Sequence, residues 1–395
     1  MEGRDSMIER EMATKLLELA GQYPIVSITG PRQSGKSTLA KSSFPGYEYL
    51  SFENPDIRSS FEDDPVTFLR RHDSHVIFDE AQRVPELFSY LQGIVDDSNR
   101  PGQFVITGSQ NFLLMKSVSQ SLAGRVALFT LLPLSQFELA ASGNMPSTLQ
   151  EWLFRGGYPR LYDSVRDPQD FFGDYVQTYL ERDVRAELGV RNLAGFRDFL
   201  QLCALRCGEL LNVSSLASDC GISPTTAREW LSILQASHIV FPLRPYFSNL
   251  TKRLVKSPKL YFYDTGLAAH LMGIESADDL YEDESMGQLF ECAIIVEVSK
   301  RLYAHKKTPR LSFWRDDHKQ EIDLLIERGR NVARAVECKS SATYRSRYFE
   351  TLNRIADERL GLNAAQQAVV YGGEECLSTR MGELVAWAEI GRLLS

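Results

Sequence analysis

Apolar residues recur at helical spacing near the start of the chain, at Ile8, Met12, Leu16 and Leu19, which predicts an amphipathic helix. An apolar run, Ile25 to Thr29, follows, and a helical pattern begins near Ser37. Tyr47 to Phe52 reads as a second strand, Pro65 to Arg71 as a short helix, and His75 to Phe78 as a third strand that ends in two acids. Pro85 to Val95 is again helical, with the proline at a first helical position. Phe104 to Ser109, closing in small polar residues, and Val126 to Leu132 complete the set of strands, the last stopped by Pro133. Short buried strands alternating with helices predict an α/β fold, a parallel sheet with helices on both faces.

The pattern then changes. Gly143, Pro146, Gly156, Gly157 and Pro159 mark a boundary. Phe171 to Leu188 is helical, and Phe196 to Leu271 is mostly helical, with a strand pair near Ile239–Arg244 and Leu260–Tyr263. Gly273 to Glu284 is acidic and loop-like, and a mixed helix and strand block runs from Gly287 to the end. Three domains are expected, at residues 8–143, 144–272 and 285–395.

The first strand delivers Gly30, Pro31, Arg32, Gln33, Ser34, Gly35, Lys36, Ser37 and Thr38, a complete G-x-x-x-x-G-K-[ST] phosphate loop placed before a helix. Its backbone N–H groups form a concavity that favours anions, and the two glycines allow close approach of phosphate oxygens. Lys36 reaches the β- and γ-phosphates and the Ser37 hydroxyl ligates Mg²⁺. Asp79 at the end of the third strand would hold the Mg²⁺, and Glu80 would activate the attacking water. The plainer alternative is two solvated acids at a strand end. Thr107, Ser109 or Asn111 could sense the γ-phosphate, and Arg125, with Arg32 and Arg182 as rivals, could be the arginine finger. An arginine supplied by a second copy would call for a homo-oligomer, and turnover without a partner should then be slow.

In the middle segment, a short helix, a turn at Gly221, then Ser223 and Pro224 opening a second helix form a helix-turn-helix pattern, with the strand pair as its wing. Thr225, Thr226 and Arg228 would face a DNA groove. Arg244, Lys252, Arg253, Lys256 and Lys259 form a basic stretch without an acid, suited to phosphates. Against this, Glu229 repels phosphate, and Trp230, Leu231 and Leu234 are a core stripe, so packing or protein contact is the rival role.

The C-terminal block carries a second constellation. Glu291 lies on an apolar helix, Asp323 in an apolar strand, and Glu337 and Lys339 two apart on the next strand, on one face. Such acids can hold a divalent metal, Mg²⁺ or Mn²⁺, beside a lysine near the attacking water of phosphodiester hydrolysis. An aspartate between Ile322 and Leu324 is tolerable only if it is paired or binds something. The rival is an inert domain in which Lys339 pairs with Asp323 or Glu337.

The phosphate loop, Phe-Asp-Glu-Ala-Gln-Arg-Val-Pro-Glu from Phe78, Thr-Gly-Ser-Gln from Thr107, and Ser-Leu-Ala-Gly-Arg from Ser121 resemble prokaryotic AAA-type ATPases that carry a C-terminal domain of unknown function. Gly156-Gly157-Tyr158-Pro159 and the stretch Ser257 to Leu267 resemble that C-terminal part, so the likeness covers nearly the whole chain. It implies an ATP-binding core with a catalytic glutamate beside the Mg²⁺ aspartate. Glu291, Asp323, Glu337 and Lys339 resemble the PD-(D/E)xK nuclease set, though no proline precedes Asp323.

Composition narrows the picture little. With 395 residues, 43% apolar and 24% charged, the chain is of ordinary globular make-up. A net charge of −8 argues against a general coat on nucleic acid but leaves a local basic patch open. Six cysteines without a C-x-x-C pair read as reduced thiols. The N-terminus has no apolar core, its first six residues are expected to be disordered, and no segment gives about 18 uninterrupted apolar residues, so the cytoplasm is the expected compartment. The expected function is Mg²⁺-dependent ATP hydrolysis coupled to DNA binding and to metal-dependent phosphodiester cleavage. The alternative is a nucleotide switch with an inert C-terminal domain; no helicase-specific motif is present.

Overall fold

The computed structural model describes residues 7–98, 100–108, 122–164, 166–180, 192–247 and 256–394. Residues 1–6, Ser109, Asn111, Arg182, Lys252 and Arg253, all named above, lie outside the described residues. The described chain divides into two compact units. One holds the residues up to Leu134 together with Ala236–His238 and Leu302–Lys307; the other holds Ser135–Gln235, Ile239–Arg301 and the residues from Thr308.

The first unit is a five-stranded sheet. β1 (Ile25–Thr29), β2 (Glu48–Ser51), β3 (Val76–Asp79), β4 (Phe104–Gly108) and β5 (Val126–Thr130) lie in the order β2-β3-β4-β1-β5, and every pairing is parallel. β1, β3 and β4 are buried at every position, as a sheet covered on both faces requires. Alternation sorts their side chains to two cores. Val26, Ile28, Ile77 and Val105 meet α1 (Met12–Ala20) and α2 (Lys36–Ser43). Ile25, Phe78, Phe104 and Ile106 meet α3 (Pro55–Asp63), α4 (Pro65–Arg71) and α5 (Leu87–Ser98). α3 buries only Phe61, so hydrophobic periodicity does not reveal it; its signal is the start, where Asn54 accepts the Asp56 N–H and Pro55 fits the first turn.

The second unit opens with helices. Leu193–Leu205, Val213–Asp219 and Pro224–Ala236 follow one another, and Phe196 and Phe199 pack edge-on against Trp230. The turn between the last two has Gly221 in the left-handed region (φ 63°), and the Ser223 hydroxyl accepts the Thr226 N–H at 3.0 Å. Trp230, Leu231 and Leu234 are buried, whereas Thr225, Arg228 and Glu229 are exposed.

An eight-stranded mixed sheet occupies the rest of this unit. β6 (Val240–Pro245), β7 (Lys259–Phe262), β8 (Leu311–Arg315), β9 (Glu321–Arg328), β10 (Asn331–Lys339), β11 (Gln367–Tyr371), β12 (Leu377–Thr379) and β13 (Gly382–Ala386) run in the order β12-β13-β11-β10-β9-β8-β6-β7. The expected wing strands, β6 and β7, pair antiparallel, and β6 joins β8 through Arg244↔Ser312 and Pro245↔Phe313. The sheet therefore reaches from the middle segment into the C-terminal block. The helix Met286–Ala304 brings Glu291 to it, and the helix Arg347–Leu360 covers β10 and β11 through Phe349, Leu352 and Ile355. No helix among the described residues is long and apolar enough to cross a membrane.

Phe78 is fully buried, stacked on Phe52 at 5.8 Å and tilted against Phe104 at 5.7 Å. Phe78→Ala is expected to cost about 3–5 kcal/mol, since neighbouring rings cannot collapse into the cavity. Chemical denaturation checks this; a loss under about 1 kcal/mol would mean the first core is not packed as described.

Candidate functional site

β1 ends at Thr29 and the chain turns sharply. Gly30 has φ 150°, and a Cβ there would lie 2.0 Å from the Leu131 carbonyl oxygen, so the position admits only glycine. Gly35, at φ 91°, turns the loop into α2. Arg10 fastens the loop from outside, donating to the Ser34 carbonyl at 2.7 Å and to the Leu132 carbonyl at 2.6 Å. Pro31 and Ser34 are buried, Arg32, Gln33 and Ser37 half-buried, and Thr38 exposed at the start of the helix.

Lys36 is buried, and its Nζ donates to the carbonyls of Gly30 (3.2 Å) and Pro31 (2.7 Å). It is held by neutral acceptors that charged phosphate oxygens would outcompete. His238 lies near it, in the left-handed region at φ 54°. Burial first, and then the Lys36 charge, push the His238 imidazole down to about 4, so it is neutral at physiological pH.

Asp79 is the centre of the arrangement. Its Oδ1 accepts the Ser37 hydroxyl at 2.8 Å and the Thr107 hydroxyl from β4; its Oδ2 accepts the Tyr49 hydroxyl at 2.7 Å and the Ser51 hydroxyl at 3.4 Å. Parallel register explains the convergence, because β2, β3 and β4 all end at this edge, with Ser51 opposite Asp79. Burial, and then the hydrogen bond and charge of Asp79, raise the Tyr49 phenol. The next residue, Glu80, turns out at φ 54°, half-buried, and accepts the Gln82 amide. A serine hydroxyl and an aspartate oxygen 2.8 Å apart are hard oxygen donors of the kind Mg²⁺ takes beside phosphates, so the residues fit that ion. Arg125 lies elsewhere in the unit, in a two-pronged ion pair with Asp96 that lowers the Asp96 carboxyl.

The second unit gathers a different set of charges. Glu291 from the helix and Glu321 and Asp323 from β9 bring carboxylate oxygens within 4.8 Å of one another. Lys259 reaches into this group from β7, 2.9 Å from Glu291 Oε1 and paired with Glu321, while Tyr261 donates to the same Glu291 oxygen. Asp323 Oδ2 accepts the Cys338 N–H at 2.8 Å. On β10, Lys339 and Glu337 Oε1 are 2.6 Å apart, and the buried Glu337 Oε2 has no hydrogen-bond partner. Burial, then the charge of Asp323, raises Glu291 to about 7 and Glu337 to about 8. Asp323 is itself raised by burial, against the opposing charge of Lys339. Four carboxylates around two lysines and Arg315, which pairs with Glu321 Oε2 at 3.1 Å, with one oxygen unmatched, can take a divalent cation.

The comparisons bear on both units. The chain is 33% identical over 372 residues to uncharacterized proteins of Mycobacterium tuberculosis (Rv2008c) and Mycobacterium bovis (Mb2031c), covering 92% of this chain and 80% of each relative. The chain belongs to their family. Residues 22–140 match the family described as "AAA domain", and residues 146–278 and 286–390 match two families described as domains of unknown function (DUF8612 and DUF4143). An uncharacterized protein of Methanocaldococcus jannaschii (MJ1544) is 21% identical over 351 residues, 81% of this chain and 75% of that protein. Among solved structures, the Walker-type ATPase PABY2304 of Pyrococcus abyssi aligns at 17% identity over 68% of this chain and 97% of that one, with a TM-score of 0.45.

The first unit of this family member therefore carries a P-loop domain of the AAA type. The structure brings together Lys36, Ser37, Asp79 and Thr107, and adds Tyr49 and Ser51, whose i, i+2 spacing on β2 was the available signal. It places Glu291, Asp323, Glu337 and Lys339 in one neighbourhood and adds Glu321, Lys259 and Tyr261. Glu321 and Asp323 alternate on one strand face, a pattern visible in the sequence. Lys259 corrects an expectation. The charge run reads it as a phosphate contact, but its side chain is 5% exposed and committed to carboxylates, whereas Arg244 and Lys256 are exposed.

His238 generates a pH test. Its folded pKa lies below its ordinary 6.5, so between pH 6.5 and about 4 the unfolded chain binds a proton that the folded chain refuses. Stability from this group is complete above pH 6.5 and is lost as pH falls through that window. His238→Asn, whose side chain tolerates the same backbone, should lessen the acid loss of stability by about 3 kcal/mol. Unfolding free energies at pH 7 and pH 4 for both proteins check it; parallel curves would contradict the assignment.

Proposed function

We propose that the first unit hydrolyses ATP with Mg²⁺. The observation that carries this reading is the Asp79 carboxylate in hydrogen bond with the phosphate-loop Ser37 hydroxyl, with Glu80 next in the chain. Lys36 leaves the Gly30 and Pro31 carbonyls for the β- and γ-phosphate oxygens, and loop N–H groups take the remaining charge. Ser37 and Asp79 would hold Mg²⁺, which supplies neutralisation of phosphate charge when bound. The Glu80 carboxylate accepts a proton from water as the water oxygen attacks the γ-phosphorus and the bond to the leaving ADP oxygen breaks. Thr107, whose hydroxyl donates to Asp79, is the residue we assign to sensing the γ-phosphate. Arg125 is the arginine we assign as finger, presented to a second copy, and so slow turnover is expected of the monomer.

The paired test is Glu80→Gln and Lys36→Ala. Glu80→Gln should keep nucleotide binding, read with a fluorescent ATP analogue, and lower phosphate release by at least ~100-fold; Lys36→Ala should lose binding itself. Hydrolysis surviving in Glu80→Gln, or binding surviving in Lys36→Ala, would refute the roles given to these residues.

The acidic group of the second unit favours a second activity, divalent-metal-dependent cleavage of phosphodiesters. Glu291, Glu321 and Asp323 would hold the cation, and Lys339, oriented by Glu337, would stand near the attacking water. We assign the helix-turn-helix with its paired strands, a winged helix, to DNA, through exposed Thr225, Arg228, Arg244 and Lys256 and mostly through phosphates. The six free cysteines and the need for ATP favour the cytoplasm. DNA incubated with Mn²⁺ should be cut by the wild type and not by Asp323→Ala or Lys339→Ala. No cutting by the wild type leaves the rival reading, a nucleotide switch whose C-terminal domain only binds.

A further inference from the structure

The acidic group of the second unit already holds a cation of its own. Lys259 is the first residue of β7, and its ammonium is 2.9 Å from Glu291 Oε1 and paired with Glu321, two of the three carboxylates that converge within 4.8 Å. Burial opposes the charge, yet Glu291 and Glu321 outweigh it and hold the lysine protonated well above its ordinary value. The backbone around it is pinned. Pro258 O accepts the Leu211 N–H at 2.7 Å, Leu260 N donates to Glu209 O at 3.1 Å, and Leu260 O accepts the Gly208 N–H at 2.7 Å. The Phe313 ring lies 5.5 Å from the ammonium. A change of partner by Lys259 would therefore come from rotation about its long aliphatic stem, with the strand left in place.

The same neighbourhood contains an oxygen that Lys259 does not serve. Glu337 is nine-tenths buried, and its Oε2 has no hydrogen-bond partner, although Lys339 takes the other oxygen at 2.6 Å. Lys259, Lys339 and Arg315, the last paired with Glu321 Oε2 at 3.1 Å, are three cations facing four carboxylates. A divalent cation carries twice the charge and accepts six or more oxygens, so it satisfies the group more completely, at the cost of expelling the lysine.

We infer that Lys259 is an exchangeable internal counter-ion: a divalent cation enters at Glu291, Glu321 and Asp323 by displacing the Lys259 ammonium toward solvent. This rests on the metal reading of the second unit given above. It adds that the centre is closed by a lysine until a cation competes for it, and that metal affinity is set by Lys259 as much as by the carboxylates.

Two measurements on the full chain decide it. The first is Mn²⁺ binding by electron paramagnetic resonance, for wild type and for Lys259→Met with folding checked by circular dichroism. Lys259→Met should bind Mn²⁺ at least ~10-fold more tightly, because no ammonium competes. The second is acetylation of lysines followed by mass spectrometry, with and without saturating Mn²⁺. Lys259 should be protected without added metal and label at least ~10-fold faster with it. This second readout needs only the wild type, so it stands even where Lys259→Met does not fold. If Mn²⁺ binds both proteins equally, or binds the wild type while Lys259 stays protected, the exchange is refuted and the metal site survives. If neither folded protein binds Mn²⁺ at millimolar concentration, the metal reading itself falls, and the exchange with it.

Discussion

A carboxylate taken out of water must be met by donors or by cations, and both units of this protein are organised around that constraint. Asp79 is 6% exposed and is met by hydroxyls from Ser37, Tyr49, Ser51 and Thr107. Hydroxyls orient and solvate a carboxylate without supplying an opposite charge, and all four of these partners of Asp79 are hydroxyls. Glu291, Glu321 and Asp323 are met instead by Lys259, with Lys339 close to Asp323 and the Cys338 N–H on its Oδ2. There the charge is already partly cancelled. The same physical demand is answered with neutral hydroxyls in one unit and with ammonium groups in the other.

The hydroxyl answer depends on sheet register. β2, β3 and β4 are parallel and end at one edge, so one residue from each can reach a common point. Ser51 stands opposite Asp79 in that register, and Tyr49, two residues earlier, shares its side of β2. Gly30 belongs to the same requirement. β1 must turn away directly beneath the Leu131 backbone, where no side chain fits, for the loop to present Ser37 to Asp79. The phosphate loop and the acid pair are thus two ends of one construction.

How much of this was legible follows from how far apart in sequence the partners lie. The phosphate loop and Asp79-Glu80 are each contiguous motifs at the ends of short, mostly apolar strands, so short-range pattern exposes them. Tyr49 and Ser51 look like ordinary polar positions on a half-exposed strand, and only the pairing of β2 with β3 gives them a purpose. Lys259 misleads for a related reason. Its sequence neighbours are basic, which suggests a solvated face, but it sits on a strand buried at all four positions and its partners arrive from residues 291 and 321. Likewise β6 and β7 look self-sufficient as a hairpin beside a helix-turn-helix. Only the Arg244↔Ser312 and Pro245↔Phe313 pairs reveal that the sheet continues.

The two lysines show why the centres should respond to ligand at different thresholds. Lys36 is parked on the carbonyls of Gly30 and Pro31, neutral acceptors whose hydrogen bonds are roughly half as strong as those to a charged oxygen. A triphosphate offers Lys36 better partners than it gives up, so the loop is poised for its ligand. Lys259 is parked on two carboxylates in a buried surrounding, where charge–charge attraction is least screened. A cation arriving there must replace a strong partner before it gains anything. On the readings proposed above, the first site gains partners directly on binding nucleotide, whereas a cation at the second must first replace one side chain on β7. That strand is hydrogen-bonded through Leu260 to residues 208 and 209, and residue 258 beside it to residue 211, the stretch that leads into the first helix of the helix-turn-helix. The backbone that carries Lys259 is thereby tied to the segment that precedes the helix-turn-helix.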